Sequence, residues 1–119
     1  MSLERTFAII KPDAVAARHA GEILATIEQA GFRVLALRMT RLTAEQAKGF
    51  YAVHAEKPFF AGLVKFMTEG PIVVMALERE DAIRKRFATG IERNSVHGSD
   101  APETAETELR FFFSTADLL

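Results

Sequence analysis

The chain has 119 residues, 49% of them hydrophobic and ten of them Phe, with 15 basic and 16 acidic side chains, a formal charge of -1, no Cys and a single Tyr. That length suits one domain spanning residues 1–119, with enough apolar surface for a core. Near-neutral charge excludes strong non-specific attraction to nucleic acid or membranes, and the lack of Cys excludes disulfides and thiolate-held zinc.

In chain order, Glu4–Lys11 reads as a strand. Thr6, Phe7, Ile9 and Ile10 suit a pleated sheet, and Pro12 ends the run. The apolar stretch Phe7-Ala8-Ile9-Ile10 is too short for a signal peptide and is closed by Lys11-Pro12-Asp13. No window approaches a membrane span, so a cytoplasmic protein is expected. Gly21–Ala30 reads as a helix with Ile23, Leu24 and Ile27 on one face, stopped by Gly31. Phe32–Leu42 reads as a second strand, with Val34, Ala36 and Arg38 alternating against Leu35, Leu37 and Met39. Thr43-Ala44-Glu45-Gln46 matches a capping box that opens a helix to about His54. After the break at Lys57-Pro58, Phe59–Thr68 reads as a short helix with Phe60, Leu63, Val64 and Met67 inward.

Glu69-Gly70-Pro71 is a turn, and the continuous apolar run Ile72–Leu77 predicts a central strand. The charged stretch Glu78–Arg86 predicts the start of a helix. Asn94–Asp100 reads as a polar loop, Pro102–Leu109 as a helix with Pro102 in its first turn, and Phe111-Phe112-Phe113 as a final strand or packed extended tail. The order is strand, helix, strand, helix pair, strand, helix, strand. This is close to the βαββαβ plan: an α+β, ferredoxin-like fold, its antiparallel sheet carrying helices on one face. That plan supports many functions, so the chemistry must be read from side chains.

No GxxxxGK[ST] or GxGxxG stretch is present. His19, His54 and His97 are too scattered in sequence for a metal site, and an isolated His is ordinarily a surface or structural residue. His97 stands apart because of its neighbours. Gly98 permits close backbone approach, Ser99 or Asp100 can cap the following helix, and Glu108 can reach back to fix the ring if that helix folds beside the loop. A neutral imidazole, with an ordinary pKa of about 6.5, is a competent nucleophile at neutral pH. The plain alternative is a capping turn that happens to hold a His. Lys11, a cation at a strand end held by Pro12, either faces a cleft or is a solvated gatekeeper. In Lys57-Pro58-Phe59-Phe60, one ring can stack on a base. The alternative, preferred for Phe60, is that the rings are core.

Together these stretches resemble the nucleoside diphosphate kinase family. Those that carry the resemblance are Glu4–Ala14, Gly49–His54, Pro58-Phe59-Phe60, Gly70-Pro71 and, most specifically, Asn94-Ser95-Val96-His97-Gly98-Ser99-Asp100, which matches NxxHGSD. The resemblance implies a ping-pong kinase acting on nucleoside di- and triphosphates through a phosphohistidine at His97. Lys11, Tyr51 and Asn94 match residues that hold phosphates and sugar, and Phe59 matches the ring on which the base stacks. Ser99 and Glu108 match the pair that positions the histidine. It also implies Mg²⁺ carried mainly by the nucleotide phosphates rather than by protein ligands, no specific nucleic-acid partner, and a homo-oligomer.

The resemblance breaks after Ala82, where the family carries roughly twenty further residues, a length subject to ordinary boundary error. Glu80-Asp81-Ala82 runs directly into Ile83-Arg84-Lys85-Arg86-Phe87. Counting back from Asn94 puts Arg84 on a phosphate-binding arginine of the family. A second such arginine and a threonine have no counterpart. The family's contacts between dimers use the absent segment, so a dimer or dimer-based tetramer is expected. The competing readings are a nucleotide-binding protein without turnover and a ferredoxin-like regulatory domain that binds no nucleotide.

Overall fold

The computed structural model describes residues 3–80, 96–98 and 102–113. In order the elements are β1 (Leu3–Ile10), α1 (Pro12–Ala16), α2 (Ala20–Gln29), β2 (Arg33–Thr40), α3 (Ala44–Phe50), a 3-10 turn (Ala52–His54), α4 (Phe60–Met67), β3 (Ile72–Glu80), β4 (Val96–Gly98) and α5 (Pro102–Phe112). The strands form a sheet in the order β2-β3-β1-β4. Each neighbouring pair is antiparallel. This is the ferredoxin-like arrangement.

The two inner strands explain why the sheet lies at the centre. Phe7 and Ile9 pack to one side with Val74, Ala76, Leu109 and Phe113. Ala8 and Ile10 pack to the other with Val73, Met75, Leu77 and Ile27. Because successive strand residues alternate, a strand apolar at every position needs cover on both faces. The helices accordingly lie on both faces, not one: α3, α4 and α5 cover the Phe7 side, and α1 and α2 the Ala8 side. Each large buried side chain contributes about 1.5–3 kcal/mol.

The capping box forms as expected. Thr43 Oγ1 accepts from the Gln46 N–H at 3.1 Å, and Gln46 Oε1 accepts from the Thr43 N–H at 3.0 Å. The helix it opens stops at Phe50 and gives way to the tighter 3-10 turn before His54. Pro12 does more than end β1, since it sits in the first turn of the short helix α1.

Four further expectations are corrected. The alternation of β2 is broken by a bulge between Val34 and Ala36. Leu35 is buried, whereas Leu37 and Met39 fall on the opposite face with 48% and 58% of their surface exposed. β3 continues through Glu80 where a helix was expected from Glu78, and two of its charges have partners. Arg5, paired in register with Glu78, meets its carboxylate at 3.4 Å, and Arg79 Nε donates to the Ala30 carbonyl at 2.9 Å, closing the end of α2. Residues 81–86 of that expected helix lie outside the described residues.

The fourth strand is Val96–Gly98, inside the stretch read as a loop; it pairs with Ala8, Ile9 and Ile10. The far edge of buried β1 needs backbone partners there, whatever the local polarity. Phe111 and Phe112 are the last residues of α5, and Phe113 follows with its N–H bonded to the Leu109 carbonyl at 2.7 Å. A helix suits these rings: Phe112 stacks on Phe7, centroids 5.2 Å apart and planes 8° apart, while Phe111 meets Phe50 edge-on at 5.4 Å.

Candidate active site

Lys11 directly follows β1 and is half-buried. Its extended backbone makes it the N-cap of α1, and its carbonyl accepts from the N–H groups of Ala14 and Val15, each at 3.1 Å. The strand and the helix therefore hold this position from both sides. β4 places the backbone of His97 opposite Ile9, two residues before Lys11. The catalytic candidate and the candidate cation thus come from adjacent strands at one end of β1.

The Phe7 face of the sheet supplies the next group. On α5, Ala105 and Leu109 are buried and Glu108 between them is half-buried. Tyr51, just past the end of α3, is buried in the same cluster as Leu109. Burial pushes the Tyr51 phenol well above the ordinary tyrosine range, and the negative charge of Glu108 pushes it further. Tyr51 and Glu108 are therefore neighbours in the fold, and the phenol remains a hydrogen-bond donor across the whole neutral range.

Outward from Tyr51 runs a short series of rings. Tyr51 and His54 lie stacked with centroids 6.5 Å apart, and His54 meets Phe59 at 5.4 Å. Phe59 is 53% exposed, and Phe60 beside it packs on the core. The two rings of Pro58-Phe59-Phe60 thus divide as the sequence suggests, one available at the surface and one inward. His54 joins the group although sequence reasoning gave it no role. The signal was its place three residues after Tyr51, a spacing that puts side chains on one face of a helical turn.

Phe59, His54, Tyr51 and Glu108 are thus brought together, and Lys11 and the backbone of His97 lie at one end of β1. Arg84, Asn94 and Ser99 lie outside the described residues, and His97 is described by its backbone alone. Among the described residues no cluster of three or more His, Cys, Asp or Glu is gathered for a metal ion. No helix among them is long and apolar enough to cross a membrane.

Because Tyr51 is the only tyrosine and Trp is absent, a spectrophotometric alkaline titration reads this phenol alone. Its folded-state pKa is raised above the unfolded value of about 10, so its contribution to stability is full below that pH and is lost as pH rises towards the folded value. The expected result is no phenolate absorbance at about pH 10 in the folded protein, with the signal appearing only as the chain unfolds. An ordinary titration midpoint in the folded protein would contradict the buried setting.

A family model described as Nucleoside diphosphate kinase matches residues 4–85 and 81–118. The chain belongs to the nucleoside diphosphate kinase family. The nucleoside diphosphate kinase of Halorhodospira halophila is 52% identical over 138 residues, covering 99% of this chain and 98% of that one. That of Maricaulis maris is 51% identical over 139 residues, covering 100% of this chain and 99% of that one. Among solved structures, the Aquifex aeolicus nucleoside diphosphate kinase superposes with a TM-score of 0.90 at 38% identity, covering 99% of this chain and 100% of that one. The Halobacterium salinarum nucleoside diphosphate kinase in complex with CDP superposes with a TM-score of 0.86 at 33% identity, covering 99% of this chain and 92% of that one.

The comparisons also bear on the break after Ala82. The family match comes in two pieces that share residues 81–85. The alignment with the Halorhodospira halophila relative runs over 138 positions, whereas this chain has 119 residues in all, so at least 19 of those positions have no residue of this chain. This member of the nucleoside diphosphate kinase family therefore lacks an internal segment that its relatives carry.

Proposed function

We propose that this chain transfers the γ-phosphate of a nucleoside triphosphate to a nucleoside diphosphate in two steps, through a phosphorylated His97. The observation that carries the reading is the β1–β4 register, in which the histidine of the NxxHGSD signature pairs with Ile9, two residues from Lys11. In the first step an imidazole nitrogen attacks the γ-phosphorus. The new P–N bond forms as the P–O bond to the β-phosphate breaks, and the diphosphate leaves with that oxygen and its electron pair. In the second, a β-phosphate oxygen of another diphosphate attacks the same phosphorus and the imidazole leaves.

Such transfer depends on positioning and charge neutralisation more than on further covalent chemistry. The Lys11 ammonium attracts the phosphates. Tyr51, kept protonated by burial and by Glu108, donates a hydrogen bond, and Glu108 and Ser99 orient the imidazole. Asn94 and Arg84 hold sugar and phosphate. Phe59 stacks on the base, worth about 1–3 kcal/mol per base, and because stacking reads no base edges it tolerates every base. Mg²⁺ arrives on the nucleotide's own phosphates rather than in a cage of protein ligands. When bound there it neutralises phosphate charge.

A coupled assay with ATP and a non-adenine diphosphate tests the reading. Turnover with parallel double-reciprocal lines is expected. ADP binding without turnover would instead leave a nucleotide-binding protein, and no ADP binding at all would leave a regulatory domain. The proposal includes a cytoplasmic location, where nucleotide pools are held. It also includes a homodimer, or a tetramer built from it, formed through the sheet and the first helices. The exposed Leu37 and Met39 on edge strand β2 support that assembly. Sedimentation at micromolar concentration is expected to show at least a dimer, and a monomer there would refute it.

A further inference from the structure

We propose that Arg38 is a positioning residue for phosphoryl transfer, locking α5 along its axis and thereby setting where Glu108 sits. The inference rests on the proposed function, since it needs Glu108 to orient His97. Arg38 lies on β2, opposite Val74 in register, at the sheet edge farthest from β4, the strand that carries His97. It nevertheless reaches the end of α5 with two contacts of different kinds. Its Nη2 donates to the Phe112 carbonyl at 2.8 Å, and its guanidinium lies 5.4 Å from the centre of the buried Phe113 ring. The helix crosses the sheet towards that edge, with Leu109 in the β1 core and Phe112 stacked on Phe7.

These apolar contacts hold α5 onto the sheet, while the hydrophobic attraction behind them is itself non-directional. The Arg38 fork is directional. It satisfies a carbonyl that a helix end leaves without an intrahelical partner, and it places a cation at the negative end of the helix dipole. Glu108 lies four residues before Phe112, about one helical turn. Any slide of the helix end is therefore passed on to Glu108 along a stiff rod. A displacement of about 1 Å at a distance from the reacting atoms can cost up to 10²-fold in rate. The structural alternative for Arg38 is a charged residue guarding an exposed sheet edge, a task that Lys performs equally well. The planar guanidinium bonds a carbonyl and lies against a ring at once, which an ammonium does not reproduce.

The test uses the full chain and follows phosphohistidine formation from labelled ATP in single turnover, beside steady-state kinetics and thermal unfolding. For Arg38→Ala, transfer rate per folded molecule is expected to fall about tenfold with nucleotide KM within about twofold of wild type. Arg38→Lys is expected to restore only part of the rate. Should Arg38→Ala fail to fold, the lysine variant carries the test: a reduced rate with unchanged KM supports the positioning role. A lower unfolding midpoint with wild-type transfer rates in either folded variant overturns it and leaves the proposed function standing. If wild type itself takes up no phosphate on His97, both readings fall together.

Discussion

Replacing His97 with Ala or Gln is expected to abolish acid-labile phosphate incorporation and to lower turnover by at least about 10⁴-fold, because the proposed mechanism then has no group to carry the phosphate. Loss of a nucleophile costs more than loss of a surrounding hydrogen bond, since no other group takes over its covalent role. The neighbours of His97 are not expected to compensate. In the proposed mechanism Lys11 and Tyr51 act only as donors, and burial and Glu108 keep the Tyr51 phenol protonated. The variant should fold, because β4 engages β1 through backbone pairing at Ala8, Ile9 and Ile10. It should also retain ADP binding within a few-fold, since the ring of Phe59 is untouched. The measurement is incubation with labelled ATP followed by alkaline gel analysis, beside calorimetry with ADP. Equal label on wild type and on the alanine variant would remove His97 from the reaction.

Restoring the absent segment is expected to have the next largest effect. The resemblance to the family puts an arginine and a threonine that bind phosphate in that segment. A hydrogen bond to a charged group contributes about 1.5–3 kcal/mol, so losing two weakens nucleotide binding by about 10²–10⁴-fold, less where Arg84, Lys85 or Arg86 substitutes. Grafting the corresponding residues of the Halorhodospira halophila relative, 52% identical to this chain, between Ala82 and Ile83 should therefore tighten ADP binding by at least about tenfold. Phosphorylation of His97 should be faster in the graft as well. Calorimetry that finds the same ADP affinity in both proteins would show that the segment does not hold the nucleotide in this chain.

Much of the fold was legible because apolar periodicity reports burial directly. β1, α2, α4 and the core of β3 stand where alternation or helical spacing puts them, and the Thr43–Gln46 box opens α3 by a bond pattern readable from four letters. The failures share a physical cause: in each, a partner remote in sequence overrode local composition. Glu78 and Arg79, read as helix by their charge, are strand, with Arg5 and the end of α2 receiving them. The triple Phe reads as a strand or extended tail by composition, but its first two residues close a helix, with Phe7 and Phe50 packed against Phe112.

The site divides in the same way. The order of motifs by itself determined the family, the nucleophile candidate and the missing segment, because Lys11-Pro12-Asp13 and NxxHGSD are patterns of side-chain chemistry that survive without coordinates. Only the tertiary structure decided that the histidine-bearing stretch is a strand on β1, that Tyr51 is buried beside Glu108, that His54 braces Phe59, and that Arg38 ties β2 to the end of α5. Each of these joins segments far apart in the chain, and neither hydrogen-bond direction nor burial across such distances is encoded in local periodicity.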